Sequence, residues 1–388
     1  MSVPRAFQAA ALLPDGKVLI AGGDDNGTTE LSDPETGLFS PLGSMGQTSS
    51  PQLAAVLNNG RVLVVGGQFA TLFDPSDDTF SALGSLPLNA FPLTLLADGK
   101  VLIQGSDEAG FISAALYDPK TDDFILDYGT INESWTLVTA TLLASGKVLD
   151  TTLLTDEAWP TGVAEFFDQS NETSRPRRMA ERRRWERATL LPDSSVLIAG
   201  GGGNSDGVSW WHDVTNGAEL YDPATDQFSI TGCMTENREQ HTATLLLDGT
   251  ALITGGGTNG FGTASAEIYR PAILIPAPVL FSLSGDRQGQ GAIWHASTGQ
   301  TASSQNPTVT GEILSMYTTG LGDGSVIPPQ VAVGGRLAEI LFFGGAPGYP
   351  GFSQVNFRIP EGLASGASAP VRLTYLGRAS NEVTFGVQ

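Results

Sequence analysis

"LLPDGKVLIAGG", residues 12–23, returns five more times along the chain, and its return decides the fold. The later copies are "VLNNGRVLVVGG" (56–67), "LLADGKVLIQGS" (95–106), "LLASGKVLDTTL" (142–153), "LLPDSSVLIAGG" (190–201) and "LLLDGTALITGG" (245–256). The turn position falls at Gly16, Gly60, Gly99, Gly146, Ser194 and Gly249. A second signature follows each copy: "ELSDP", "TLFDP", "ALYDP", "EFFDQ", "ELYDP" and "EIYRP". A third, "FSPLGSM", "FSALGSL" or "FSITGCM", closes several units. Signatures in fixed order at a period of about 45 residues mark a repeat architecture.

Each unit translates into four strands. An apolar run precedes an Asp-Gly or Asn-Gly pair, which reads as a tight hairpin. "KVLIAGG" is the second strand, and its glycines allow close backbone approach. "AELYDP" is the third strand, stopped by proline, and "DQFSITG" is the fourth. A lone four-stranded sheet leaves both faces uncovered, so such units stack radially around an axis. The signatures resemble kelch repeats across residues 1–271, with the Gly-Gly pair lost in the fourth copy (Thr152-Leu153). The expected architecture is all-β: a six-bladed kelch-type β-propeller over 1–271, a linker over 272–278, and a second domain over 279–388. Met1, Met45, Met179 and Met234 share one repeat phase, and the sixth unit stops after its third strand. This predicts a last blade lacking one strand and a natural leader upstream of Met1.

Residues 279–388 carry six acidic and five basic side chains, so nearly all of the net charge of −21 belongs to the repeats. Segments such as "EILSMYTTG", "SQVNFRIP" and "NEVTFGV" alternate in hydropathy between Gly/Pro turns, as expected of an immunoglobulin-like β-sandwich. "GAIWHAS", "GGAPGYPGFSQVNFRIP" and "SNEVTFGV" resemble the Solibacter-type C-terminal domain. That resemblance implies an extracellular or cell-surface setting and no particular reaction. The single cysteine, Cys233, excludes an internal disulfide framework. Acidity argues against nucleic acid as a partner, and no apolar run is long enough for a membrane span.

A kelch propeller followed by an immunoglobulin-like domain also resembles the layout of galactose and glyoxal oxidases. That resemblance implies copper held by two histidines and an axial tyrosine, with a second tyrosine cross-linked to cysteine. In "REQHTATLLLDG", His241 matches the histidine, but Gln240 stands in the tyrosine's place. His295 is the only possible ligand from the second domain, and Cys233 occupies the serine position of the repeated "GSM" (compare Ser44). No Tyr-His pair exists. The expectation is therefore no catalytic residue, no cofactor and no metal. The acidic clusters Asp24-Asp25 and Asp107-Glu108 lack the oxygen-ligand spacing of a calcium loop.

"RPRRMAERRRWER" (175–187) holds seven arginines in this acidic chain. Arg5, Arg183 and Arg238 lie at one repeat phase, and the same units carry Glu30, Glu219 and Glu267 on the third strand. Their co-occurrence predicts a structural ion pair inside each of those blades. Arg175, Arg177, Arg178, Arg182, Arg184 and Arg187 have no repeat counterpart and fall in the connection between blades four and five. They share a face with loops carrying Trp159, Trp210, Trp211 and His212, and Trp185 lies among them. Flat indoles stack on sugars, and guanidinium groups grip carboxylates or sulfates. Trp159, Arg182, Arg184, Trp185, Trp210, Trp211 and His212 are thus the candidate ligand-binding residues. The expected function is a non-catalytic recognition or adhesion module for an acidic glycan or another anionic polymer. The alternatives are a copper-radical oxidase-like enzyme and a structural surface-layer component.

Overall fold

The hairpin turns set the register of the strands. The computed structural model describes residues 3, 5, 8–33, 36–46, 52–86, 88–107, 112–132, 135–154, 162–167, 177–181, 183, 185–203, 213–246, 248–258, 261–272, 277–321, 327–363, 365–376 and 378–388. All six turn positions are left-handed: φ is 91°, 87°, 86°, 83° and 87° at the glycines and 71° at Ser194. In the first turn Gly16 N–H donates to Leu13 O at 2.9 Å, and Leu13 N–H donates to Lys17 O at 2.8 Å. Only the closing residue has positive φ, so the Asp-Gly reading needs correction. A two-residue type I′ turn would require positive φ at both central residues. The aspartate instead accepts a main-chain bond two residues on: Asp15 from Lys17, Asp98 from Lys100, Asp193 from Ser195 and Asp248 from Thr250.

Among the described residues these hairpins build six successive antiparallel sheets of three or four strands. Blade one comprises Ala9–Leu12, Val18–Ala21, Thr28–Asp33 and Leu38–Ser44; blade two Gln52–Val56, Val62–Gly66, Phe69–Asp74 and Thr79–Ser85. Blade three holds Leu88–Leu95, Val101–Asp107, Ile112–Asp118 and Asp123–Asn132. Blade four holds Trp135–Leu142, Val148–Leu154, Gly162–Phe167 and Arg177–Arg178. Blade five comprises Arg187–Leu190, Val196–Ala199, Ala218–Asp222 and Gln227–Ile230, and blade six Thr242–Leu245, Ala251–Thr254 and Ala266–Tyr269. The first strand of each blade lies against that of the next. Apolar side chains fill the spaces between blades; Leu191, Leu197 and Ala199 of blade five, for example, pack with Ala251 and Ile253 of blade six. Arg177 and Arg178 form the outer strand of blade four, pairing with Ala164 and Val163, and are not part of the connection to blade five. Their residues fit a strand because Arg177 bonds outward to Asp226 at 2.7 Å.

The arginine–glutamate phase has a definite geometry. Arg5 Nη2 reaches Glu30 Oε1 at 2.8 Å, Arg183 Nε reaches Glu219 Oε1 at 3.0 Å, and Arg238 Nη2 reaches Glu267 Oε1 at 2.9 Å. All three guanidinium groups are fully buried. Each Nη1 also donates to two carbonyls where the second and third strands separate: Gly22 and Thr28, Gly200 and Gly217, Gly255 and Ser265. Glu219 accepts, in addition, from the N–H groups of Ala180 and Glu181. The pair therefore ties the segment entering a blade to that blade's inner strands.

Beyond residue 279 two further sheets face each other. One runs Ile293–His295, Ile313–Thr318, Ser353–Arg358, Glu339–Gly345; the other contains Arg336–Leu337, Gln330–Val333, Gly366–Tyr375, Arg378–Ala379 and Val383–Val387. Val331, Val355, Phe357, Leu373 and Phe385 are buried between them. This β-sandwich meets the propeller on the hairpin face: a Cβ on Gly16 would touch Arg372 at 2.8 Å, and Leu337 approaches Gly60. No helix among the described residues is long and apolar enough to cross a membrane.

Three stability measurements follow from this geometry. Removing one partner of a buried pair leaves a charge without compensation, so Glu219→Gln should cost about 3–5 kcal/mol in urea unfolding. Arg177→Ala, which breaks a half-exposed pair, should cost far less in the same unfolding measurement. Ser194→Gly should stabilise the chain by about 1 kcal/mol, since it relieves a left-handed residue bearing a Cβ.

Candidate functional site

Three residues after each clamp, at the entrance to the first strand, blades five and six place Glu186 and His241 at one repeat position. The residues just before them, Trp185 and Gln240, both have positive φ, 59° and 55°. Gln240 N–H donates to Trp185 O at 3.0 Å, so the two entrances are joined directly. Glu186 and His241 are both completely buried. Both ring nitrogens of His241 and both carboxyl oxygens of Glu186 lack a hydrogen-bond partner among the described residues. The Thr151 hydroxyl is the polar group beside Glu186, although its placement gives no well-formed hydrogen bond.

Glycines make the room for this histidine. A Cβ on Gly200 would stand 2.7 Å from His241 Cε1, and one on Gly256 would stand 2.8 Å from His241 Cβ. The Gly-Gly pairs of the repeat, at φ between 62° and 91°, thus seat the ring against main chain. Both groups are electrically unusual. Burial, with Arg187 and Arg238 nearby, pushes His241 down from 6.5 to about 4, so the imidazole is neutral at ordinary pH. Burial pushes Glu186 up from the usual carboxyl range, while Thr151, Arg183 and Arg187 pull it partly back. Arg187 acts on both groups and is itself exposed. A neutral imidazole, a carboxyl inclined to hold its proton and an accessible cation thus sit where the first strands of blades five and six begin, at the strand end opposite the hairpin turns that meet the sandwich. A neutral imidazole accepts a proton, a carboxylic acid delivers one, and a guanidinium holds an anion beside them.

Of the residues expected to bind a ligand, Trp185 lies at this entrance and is 37% exposed. Trp159, Arg182, Arg184, Trp210, Trp211 and His212 lie outside the described residues. Glu186 escaped sequence reasoning because it sits inside the arginine cluster. The available signal was its equivalence in repeat phase to His241. A cavity of about 1030 Å³ lies elsewhere, between the hairpin face and the sandwich, lined by Asn58, Lys100, Pro328 and Phe342 among others. Its position separates it from the axial entrance.

No protein-family model matches this chain, and no curated protein does. Among solved structures, a fungal alcohol oxidase of the AA5 family, in complex with copper, matches at 16% identity and a TM-score of 0.49. The match covers 98% of this chain and 96% of that one. The structure of YjhT matches at 13% identity and a TM-score of 0.49, over 69% of this chain and 95% of its own. At these identities the likeness is one of propeller-type fold. The expectation that the chain is not an enzyme is corrected all the same, because it drew a conclusion from an absence. The expectation rested on a missing Tyr-His pair, and the lack of one motif does not remove the chemistry of Glu186 and His241.

The copper-radical donor set does not fit the residues present. His241 offers one imidazole with free nitrogens, but His295 has Nδ1 engaged by Glu312 and Nε2 by Asn306 O at 3.1 Å. Gln240 stands where the axial tyrosine is expected, and Cys233 is exposed. The hydroxyls of Tyr117, Tyr221 and Tyr269 are bonded to Asp122, Asp226 and Thr231. No step through copper is derived from this arrangement.

The histidine's low pKa has a sign that unfolding measures. Between pH 6.5 and about 4 the unfolded chain takes up a proton at His241 that the folded chain refuses. Stability is therefore lost as pH falls through that window. His241→Asn should remove this contribution, read as a shallower loss of urea-unfolding free energy below pH 6.5 than in the wild type.

Proposed function

We propose that this chain is an enzyme whose centre lies at the axial entrance of blades five and six and works by proton transfer on a small anionic carbohydrate-class substrate. The observation that supports this reading is the placement of Glu186 and His241 at one repeat position, buried and without hydrogen-bond partners among the described residues, beside the exposed Arg187. His241 takes the proton and Glu186 supplies one, while Arg187 receives the substrate's carboxylate. Burial is the main cause of the low His241 pKa; docking an anion there offsets the Arg187 and Arg238 charges that add to it, and makes the ring a better base. Trp185 supplies an apolar face at the rim. We take the propeller as a six-bladed kelch type and the working environment as extracellular, in keeping with the repeat signatures and the C-terminal motifs. This reading replaces the non-catalytic adhesion module. It keeps the acidic carbohydrate as the ligand class.

The test uses the full chain in deuterium oxide with a panel of uronic and aldonic acids, reading deuterium incorporation by NMR. At least one should exchange a carbon-bound hydrogen. Glu186→Gln and His241→Ala should each slow exchange by about a hundredfold or more. Arg187→Ala should mainly raise KM for anionic members of the panel. Absence of exchange across the panel, together with copper-dependent peroxide release on galactose or glyoxal, would favour radical oxidation instead.

A further inference from the structure

Glutamate and arginine accompany each other along the repeat, with one exception. Blades one, five and six have both, whereas blades two and three have neither, with Thr71 and Ala115 at the glutamate position. Blade four has the glutamate, Glu165, but Trp135 stands at the arginine position. Its backbone also closes the gap that admits the guanidinium elsewhere. The ladders of blades one, five and six end at Ala21–Thr29, Ala199–Ala218 and Thr254–Ala266. In blade four the ladder continues through Thr152–Val163 and Leu153–Gly162.

A second departure sits directly opposite the first. The cross-strand partner of the glutamate is Ile20 in blade one, Ile198 in blade five and Ile253 in blade six. In blade four it is Asp150. Residues paired in this way have Cβ atoms about 4.5–5.5 Å apart, and like charges so placed repel. Asp150 is 1% exposed and Glu165 9%. From blade three Gln104, wholly buried, donates Nε2–H to Asp150 Oδ2 at 2.8 Å. Asp150 Oδ1 and Gln104 Oε1 have no hydrogen-bond partner among the described residues. Burial pushes Asp150 up to about 8, with Glu165 adding to the effect, and pushes Glu165 up to about 7. Two apposed carboxyls and an idle amide oxygen thus occupy a position where three other blades hold a buried cation.

We infer that blade four binds a hard divalent cation, with Ca²⁺ as the probe, through Asp150, Glu165 and Gln104 Oε1, in place of the missing guanidinium. The donors are all oxygen, which suits Ca²⁺ and disfavours the softer metals that take imidazole or thiolate. Two carboxylates balance its charge, and water completes the coordination shell. The contrasting way to bury the pair is to keep it protonated, with no ion. The site lies in the third and fourth blades and is independent of the axial chemistry proposed above.

The experiment strips the full chain with EDTA, dialyses it into alkaline buffer, and titrates CaCl₂ by calorimetry alongside thermal unfolding, with MgCl₂ as comparison. One Ca²⁺ should bind per chain and raise the unfolding temperature. Asp150→Asn and Glu165→Gln should each weaken binding on the order of tenfold or more, since each removes a charged ligand. Asp150→Ile restores the residue of the other blades, so it should abolish the calcium response and melt above the calcium-free wild type. Glu219→Gln, in blade five, should retain the response despite its lower stability. The inference is overturned if the wild type binds neither ion, or if Asp150→Ile still responds to calcium.

Discussion

The buried arginine at the mouth of a blade is the interaction on which the rest depends. Where the second and third strands part, two carbonyls face one gap, one of them also accepting a glycine N–H in each blade, and a buried carbonyl left short of partners is costly. Arg5, Arg183 and Arg238 each fill that gap with Nη1 and reach a glutamate of the third strand with Nε or Nη2, while Arg183 Nη2 donates to Glu181. A bare ion pair at this depth would barely offset its own desolvation. Here every polar direction of the guanidinium meets an acceptor. The result is a fixed entry point for the chain into blades one, five and six.

That fixed entry positions the proposed chemistry. Glu186 and His241 lie three residues beyond Arg183 and Arg238, too near to wander from the anchored guanidinium. The hydrogen bond from Gln240 to Trp185 links the two entrances side by side. Glycines at 200 and 256 supply the clearance for the imidazole, at positions whose positive φ already favours a residue without a Cβ. A feature that serves packing in several blades is thereby adapted, in two of them, to hold a buried imidazole and a buried carboxyl.

Much of the fold was legible because the physics repeats. Tight turns and apolar second strands recur along the repeat, and the arginine–glutamate phase recurs in three units, so their spacing alone identified them. The finer turn geometry was less accessible, since Asp-Gly suits both a two-residue hairpin and the longer turn closed by Gly16. The strand at Arg177–Arg178 was hidden by its charge, which resembles a solvated connection until the partner Asp226 is seen. The candidate site was hidden for a different reason. The phase that carries it reads Gln8, Gln52, Phe91, Val138, Glu186 and His241. Searching for sameness passes over such a phase, because it is where the blades differ. Comparison with the oxidase motif drew attention to His241 alone, and then only as an incomplete match.

Charge distribution connects these observations. In a chain of net charge −21, an arginine cluster would be expected to serve an outside anion. Its described members instead divide by depth. Arg183 is sealed within the propeller, Arg177 is satisfied by Asp226 at the rim, and Arg187 is exposed beside the axial pair. Burial decides this division more than sequence adjacency does, because a buried guanidinium must be saturated by acceptors whereas an exposed one can exchange water for a ligand. The same rule makes blade four distinctive. Its carboxyls have been brought to the depth of the clamp without the clamp's cation. A structure that neutralises this position in three blades leaves in the fourth a place whose electrostatics call for a positive charge or a proton.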